Sequence, residues 1–212
     1  DLSTILLNKI IPMNQNGYRF TWWFPTALSC RLFGLGEIGL TAPVTFFSTL
    51  GIGAAYLLGK ASWGRPGGII AALLLAVYPL DFAWATMITP DIFVSFFSAL
   101  TVLFVQRALA QDAWWVKRRL WALAAFTLWL AFHAKLSAIL LSPALVMIAL
   151  GERRRLDRQC LAFIGTAALL FGLTVGWSYA VGGDPIAPYH MELSAQGLTP
   201  VNAHEHQVNR FL

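Results

Sequence analysis

The stretch IGLTAPVTFFSTLGIGAAYLLG, residues 38–59, runs for 22 residues without a charge. A helix needs about 20 apolar residues to cross the hydrocarbon core of a bilayer. Comparable runs follow. Residues 66–86 carry only Asp81, and residues 89–110 carry Asp91 at their start and Arg107 near their end. Residues 118–134 and 136–151 are shorter, with Lys135 between them, and residues 159–183 form 25 residues without a charge. The pattern predicts an all-α, polytopic transmembrane bundle with six spans in one domain. Residues 1–37 then form an outer loop and residues 184–212 a second one.

Composition agrees. Of 212 residues, 58% are hydrophobic, 14% aromatic and 12% charged, and the mean hydropathy is +0.64. A soluble domain averages about 45–50% apolar and about 25% charged residues. The deficit excludes a soluble enzyme, a disordered chain and a coiled coil. A membrane barrel would show alternating segments of about ten residues, and none is present. Cys30 and Cys160 lie far apart in apolar surroundings and read as two unpaired thiols.

The basic residues divide by side. Lys60 and Arg65, then Arg107, Lys117, Arg118 and Arg119, then Arg153, Arg154, Arg155 and Arg158 fall in the same set of loops. They are ten of the fifteen, and the positive-inside rule makes that face cytoplasmic. The pI near 9.6 is therefore a topology signal, not a sign of nucleic-acid binding. Both chain ends are then outside. An outer start beginning at Asp1, with no signal peptide, implies an earlier helix, so the chain reads as a piece of a longer protein. The aromatic stretch Trp22-Trp23-Phe24-Pro25 and the residues to Phe33 suit a helix lying in the interface. A short hydrophobic hairpin is the alternative.

The acidic residues are the more informative set. Asp1, Glu37, Asp81, Asp91, Asp184, Glu192 and Glu205 put seven of the ten on the outer face. Ionisable groups at a membrane usually have a task or a partner. Thr89-Pro90-Asp91 reads as a helix start, with Thr89 as cap, Pro90 in the first position and Asp91 favouring the dipole. That account is structural. The same geometry holds a carboxylate at the outer mouth, where a lipid-borne substrate presents its headgroup. Lys135 either snorkels to the interface or offers its ammonium to a phosphate. His133 reads as an interior histidine. His190, His204, Glu205 and His206 are zinc-ligand types in one loop, but their spacing matches no zinc motif. Solvated loop residues are the default there, and His206 is the candidate metal ligand. No P-loop, GxGxxG, GxSxG or HExxH occurs, so a nucleotide cofactor is not indicated.

This ordered set resembles the integral-membrane glycosyltransferases of the GT-C type. The likeness is to glycosyltransferase family 39, which includes protein O-mannosyltransferases and lipid A aminoarabinose transferases. Asp1 stands at the family's distance before Phe24-Pro25-Thr26 and Leu32-Phe33-Gly34. Tyr78-Pro79 and Thr89-Pro90-Asp91 match an outward Pro-Asp. Phe132-His133-Ala134-Lys135 matches a short helix ending in Lys, and Gly183-Asp184-Pro185 an outer Gly-Asp-Pro. Glu205-His206 with Arg210-Phe211 is similar to an outer-loop motif of the lipid A branch. Two positions depart: Phe24 stands where the family often has a basic residue, and Thr41-Ala42-Pro43 where it often has Arg.

The resemblance implies transfer of a sugar from a polyprenyl-phosphate donor to a protein, lipid or glycan acceptor. The reaction would face the periplasm or outside of a bacterial inner membrane. It implies Asp1 and Asp91 as catalytic carboxylates, and Lys135, Arg19 and Asp184 as substrate-binding residues. Cations or a divalent metal would meet the leaving phosphate. The competing readings are a transporter or flippase for a lipid-linked substrate and a noncatalytic membrane subunit. A transporter would place charges at mid-membrane in broken helices. Here they cluster at span ends.

Overall fold

The computed structural model describes residues 19–87, 89–145, 147 and 160–182, and every element among them is helical. In chain order these are α1 (Phe20–Phe33), α2 (Glu37–Ala76), α3 (Pro79–Ala85), α4 (Asp91–Ala110), α5 (Trp114–Ala134), a 3-10 segment (Leu136–Leu140) and α6 (Cys160–Gly182). Residues 19–170 form one compact unit, which contains everything described below. Residues 171–182, the second half of α6, belong to another.

The first long apolar run folds back on itself. Trp63 (φ −131°, ψ 17°) and Gly64 (φ 73°, ψ −170°) leave helical geometry in the middle of α2. Gly64 takes the left-handed φ that the turn needs, at no steric cost. Beyond it the chain reverses. A Cβ built on Gly59 would lie 2.6 Å from the Gly67 carbonyl oxygen and 2.8 Å from Ala71 Cβ. In a straight helix residues 59 and 71 would be about 18 Å apart. The arms, 37–62 and 65–76, are therefore antiparallel and meet through small residues, as helices do where lipid gives no hydrophobic drive to association. Gly59→Ala pushes one backbone off the other. It should cost about 1–3 kcal/mol, read as a lower unfolding temperature in detergent, whereas Gly53→Ala, in open space, should not.

The first arm spans the predicted run 38–59. The predicted run 66–86 is interrupted: its helix ends at Ala76, and α3 restarts behind Tyr78-Pro79. Proline lacks the N–H needed to continue a helix, and it suits a first helical position. The run 89–110 becomes α4 and the run 118–134 lies within α5. The run 136–151 begins as a 3-10 segment, and its end lies outside the described residues, as do Asp1, Asp184, His206 and the loop 152–158. Glu37–Ala76 and Asp91–Ala110 are the described helices long and apolar enough to cross a membrane. The surface agrees, since Ile70, Leu73 and Leu74 on the second arm and Leu161, Ile164 and Leu169 on α6 are all exposed. Exposed apolar side chains in this number suit a lipid-facing helix.

Helices α4 and α5 form an antiparallel pair joined by residues 111–113. Their contact carries Val105, Ala108, Leu109, Trp121, Ala124 and Leu128, backed by Phe163 of α6 against Trp121 at 6.0 Å. Midway, the Thr101 and Thr127 hydroxyls meet at 2.9 Å in a buried contact. One hydroxyl donates to the other, and the one that accepts donates to its own helix, Thr101 to the Phe97 carbonyl or Thr127 to that of Leu123. A smaller core lies toward the other end. Val44, Ile92, Phe93 and Ala134 are buried there, with Trp22, Phe47, Val94 and Phe97 packed on them. This second core ties α1, α2, α4 and α5 together where the charged residues gather.

Candidate active site

Two helix ends converge over the second core. Asp91 is the first residue of α4, and Lys135 follows the last residue of α5 in extended geometry (φ −156°, ψ 133°). The extended step at Lys135 ends the α-helix and leads into the 3-10 segment. The Lys135 Nζ donates to Asp91 Oδ1 at 2.8 Å. The side chains are 37% and 30% exposed, so the pair is open on one side. Among the described residues Asp91 Oδ2 has no partner, and Lys135 retains two further N–H donors. The sequence placed both residues at outer helix ends; the tertiary contact brings them within hydrogen-bond reach.

Thr89 does not cap α4. The N-cap position is Pro90, whose carbonyl accepts from Val94 N–H, and the Thr89 hydroxyl is buried without a partner. A proline cap leaves Asp91 in the first turn, where its charge favours the helix dipole and its side chain is free to meet Lys135.

Arg19 stands at the N-cap of α1. The next residue, Phe20, places its ring 4.9 Å from that of His133 and 5.1 Å from that of Trp129. The start of α1 is thus seated on the end of α5, two residues before Lys135. His133 is 4% exposed among Phe20, Trp129 and Phe132, which is the interior position its sequence context indicated. Pro25 lies inside α1, and Thr26 donates to the Trp22 carbonyl there. Phe24, Leu28 and Leu32 recur every four residues on the exposed side of α1, with Arg31 exposed beside them in the last turn. Cys30 is a free, half-buried thiol whose pKa burial pushes up.

Two polar contacts were not legible in the sequence. Ser48, buried on α2, donates to Asp81 Oδ2 at 2.7 Å, and Thr45 donates to the Ala85 carbonyl at 3.2 Å. These bonds fasten α3 to α2. Beside them lies a cavity of about 80 Å³ bordered by Phe47, Ser48, Asp81, Ile92, Ser95 and Phe96. Serine in an apolar run carries no sequence signal for such a partner. A metal fits the described residues poorly. No three His, Cys, Asp or Glu side chains come together among them, and the Asp91 carboxylate already faces a cation.

Comparison with known proteins bears on this arrangement. Residues 20–178 match the family model described as dolichyl-phosphate-mannose-protein mannosyltransferase. The chain is 23% identical over 167 residues to the Bacillus subtilis (strain 168) protein named "Putative mannosyltransferase YkcB". The match covers 76% of this chain and 23% of that protein, so the chain spans about a quarter of its relative's length. No solved structure matches. The matched residues run from the start of α1 to the second half of α6 and include both Asp91 and Lys135. The chain belongs to the dolichyl-phosphate-mannose-protein mannosyltransferase family, within the GT-C glycosyltransferases.

Proposed function

We propose that the full protein transfers a sugar from a polyprenyl-phosphate donor to a hydroxyl or amine of a protein, lipid or glycan, at the outer face of a bacterial inner membrane. The observation that carries this reading is the open Asp91–Lys135 pair at the end of the α4–α5 hairpin. A carboxylate and a cation at one membrane surface are what such a transfer needs. The acceptor oxygen or nitrogen attacks the anomeric carbon. The bond from that carbon to the phosphate oxygen breaks, and its electron pair leaves with the polyprenyl phosphate. The acceptor's proton passes to Asp91 Oδ2 as general base. Lys135, with Arg19 at the head of α1, meets the charge on the leaving phosphate. Asp1, as a second carboxylate, and Asp184, against the substrate, complete the proposed site from the outer loops.

The exposed apolar residues of α1 support the location. Phe24, Leu28 and Leu32 suit a helix resting at the headgroup boundary, next to where a lipid-linked sugar arrives. The basic residues gathered in the loops 60–65, 107–119 and 152–158 support an outer position for that helix and the pair.

Membranes containing the full-length protein, given radiolabelled polyprenyl-phosphate sugar, test the reading. Label should move to an acceptor. Label that crosses the bilayer still joined to its carrier identifies a flippase. Label that does neither identifies a noncatalytic subunit.

A further inference from the structure

The opposite end of the bundle carries a different set of groups. The α2 turn, the end of α4 and the start of α5 meet there, and Gln106 Nε2 donates to Ser62 Oγ at 3.4 Å across them. Three tryptophans are exposed at this end: Trp63 at 77%, Trp114 at 47% and Trp115 at 59%. The last two stack, with ring centroids 3.9 Å apart. Lys60, Arg65, Arg107, Arg118 and Arg119 are exposed around them, and among the described residues at this end Asp112 is the exposed carboxylate. None of these five cations holds an ion pair among the described residues.

The register along α5 gives this end its shape. Trp114 and Arg118 are four residues apart, as are Trp115 and Arg119, so each arginine follows a tryptophan on the same face. Leu123, four residues beyond Arg119, and Phe126 continue that face and are also exposed. Side chains on a helix tilt toward its N-terminus. The indoles and the guanidinium groups lean the same way, so the arginines stay one turn further along than the indoles, and the apolar residues lie beyond them. From the end inward, the strip presents aromatic rings, then two planar cations, then an apolar surface.

We infer that this strip of α5 binds an anionic phospholipid. Arg118 and Arg119 hold the headgroup phosphate, Trp114 and Trp115 border the headgroup, and Leu123 and Phe126 carry the acyl chains. The guanidinium fork matches a phosphate in two parallel hydrogen bonds. Indole rings favour the membrane–water boundary. The excess of cations selects a lipid with net negative charge over a zwitterionic one, since each basic residue near a surface adds to the attraction. The site is separate from Asp91 and Lys135 and stands whether or not that pair transfers sugar.

The test uses the full-length protein in nanodiscs of phosphatidylcholine containing a minor fraction of phosphatidylglycerol. Lipid retained on release into detergent is counted by native mass spectrometry. The wild type should retain phosphatidylglycerol in preference to phosphatidylcholine. Arg118→Gln with Arg119→Gln should weaken that preference about thirtyfold, from two cations near the membrane surface. Leu123→Ser should lower retention of both lipids. Excess inorganic phosphate should not displace the bound lipid, and sugar transfer should be unchanged in the double variant. Equal retention of the two lipids by the wild type would overturn the inference, as would an undiminished preference in the double variant. Displacement by inorganic phosphate alone would reduce the site to an anion contact and overturn it too.

Discussion

Asp91→Asn in the full-length protein should abolish sugar transfer, with kcat lowered about 100- to 10,000-fold, the usual contribution of a positioned general base. Asparagine has nearly the shape of aspartate and still accepts a hydrogen bond from Lys135, but its amide cannot take up a proton. The fold should tolerate the change. The Asp91–Lys135 pair is about a third exposed on each side, and ion pairs of that kind contribute only about 0–1 kcal/mol. The second core beneath it is apolar and gains nothing from the charge. Donor binding should change little, because the carboxylate acts on the acceptor's proton and not on the phosphate. Steady-state transfer kinetics, with insertion verified by protease accessibility, check this. Full activity in Asp91→Asn would remove the carboxylate from the reaction.

Lys135→Met should lower kcat/KM about 100- to 1,000-fold, the scale of losing one preorganised donor to developing charge. Methionine keeps the length and apolar stem of lysine, so packing above Ala134 is largely retained. The effect should differ from that of Asp91→Asn. Lysine meets the donor's phosphate in both the ground state and the transition state, so KM for the donor should rise along with the fall in kcat. Lys135→Arg keeps the cation and should recover part of the activity. The double variant Asp91→Asn, Lys135→Met should be little worse than the poorer single one, because contacting residues that act as a unit are not additive. Effects that multiply would mean that the two side chains act independently and that the 2.8 Å contact has no part in the chemistry.

Much of this was legible from one dimension. The uncharged runs mark where the chain can lie in lipid, because hydrocarbon excludes unpaired charge whatever the partners are. Asp91 and Lys135 stood out because few charges border those runs. His133 read correctly as interior because an i, i+2 offset turns it away from Lys135. Thr89 misled: Thr-Pro-Asp is a sound start signal, but the chain enters α4 with Pro90 at the cap position and leaves the Thr89 hydroxyl buried. The run 66–86 misled as well, since hydropathy does not register the break at Tyr78-Pro79 that separates α3 from α2.

The helical class, the runs 89–110 and 118–134 that became α4 and α5, and the family were all readable in the sequence. Each of these depends on composition or local order, which short-range physics reads directly. Which charges meet is a matter of tertiary packing. It closed the α2 hairpin on Gly59 and Gly67, joined Asp81 to Ser48 and brought Lys135 to Asp91 from 44 residues away. A contact between distant residues depends on how helices pack, and packing depends on the shapes of all the side chains between them. No local pattern contains that information.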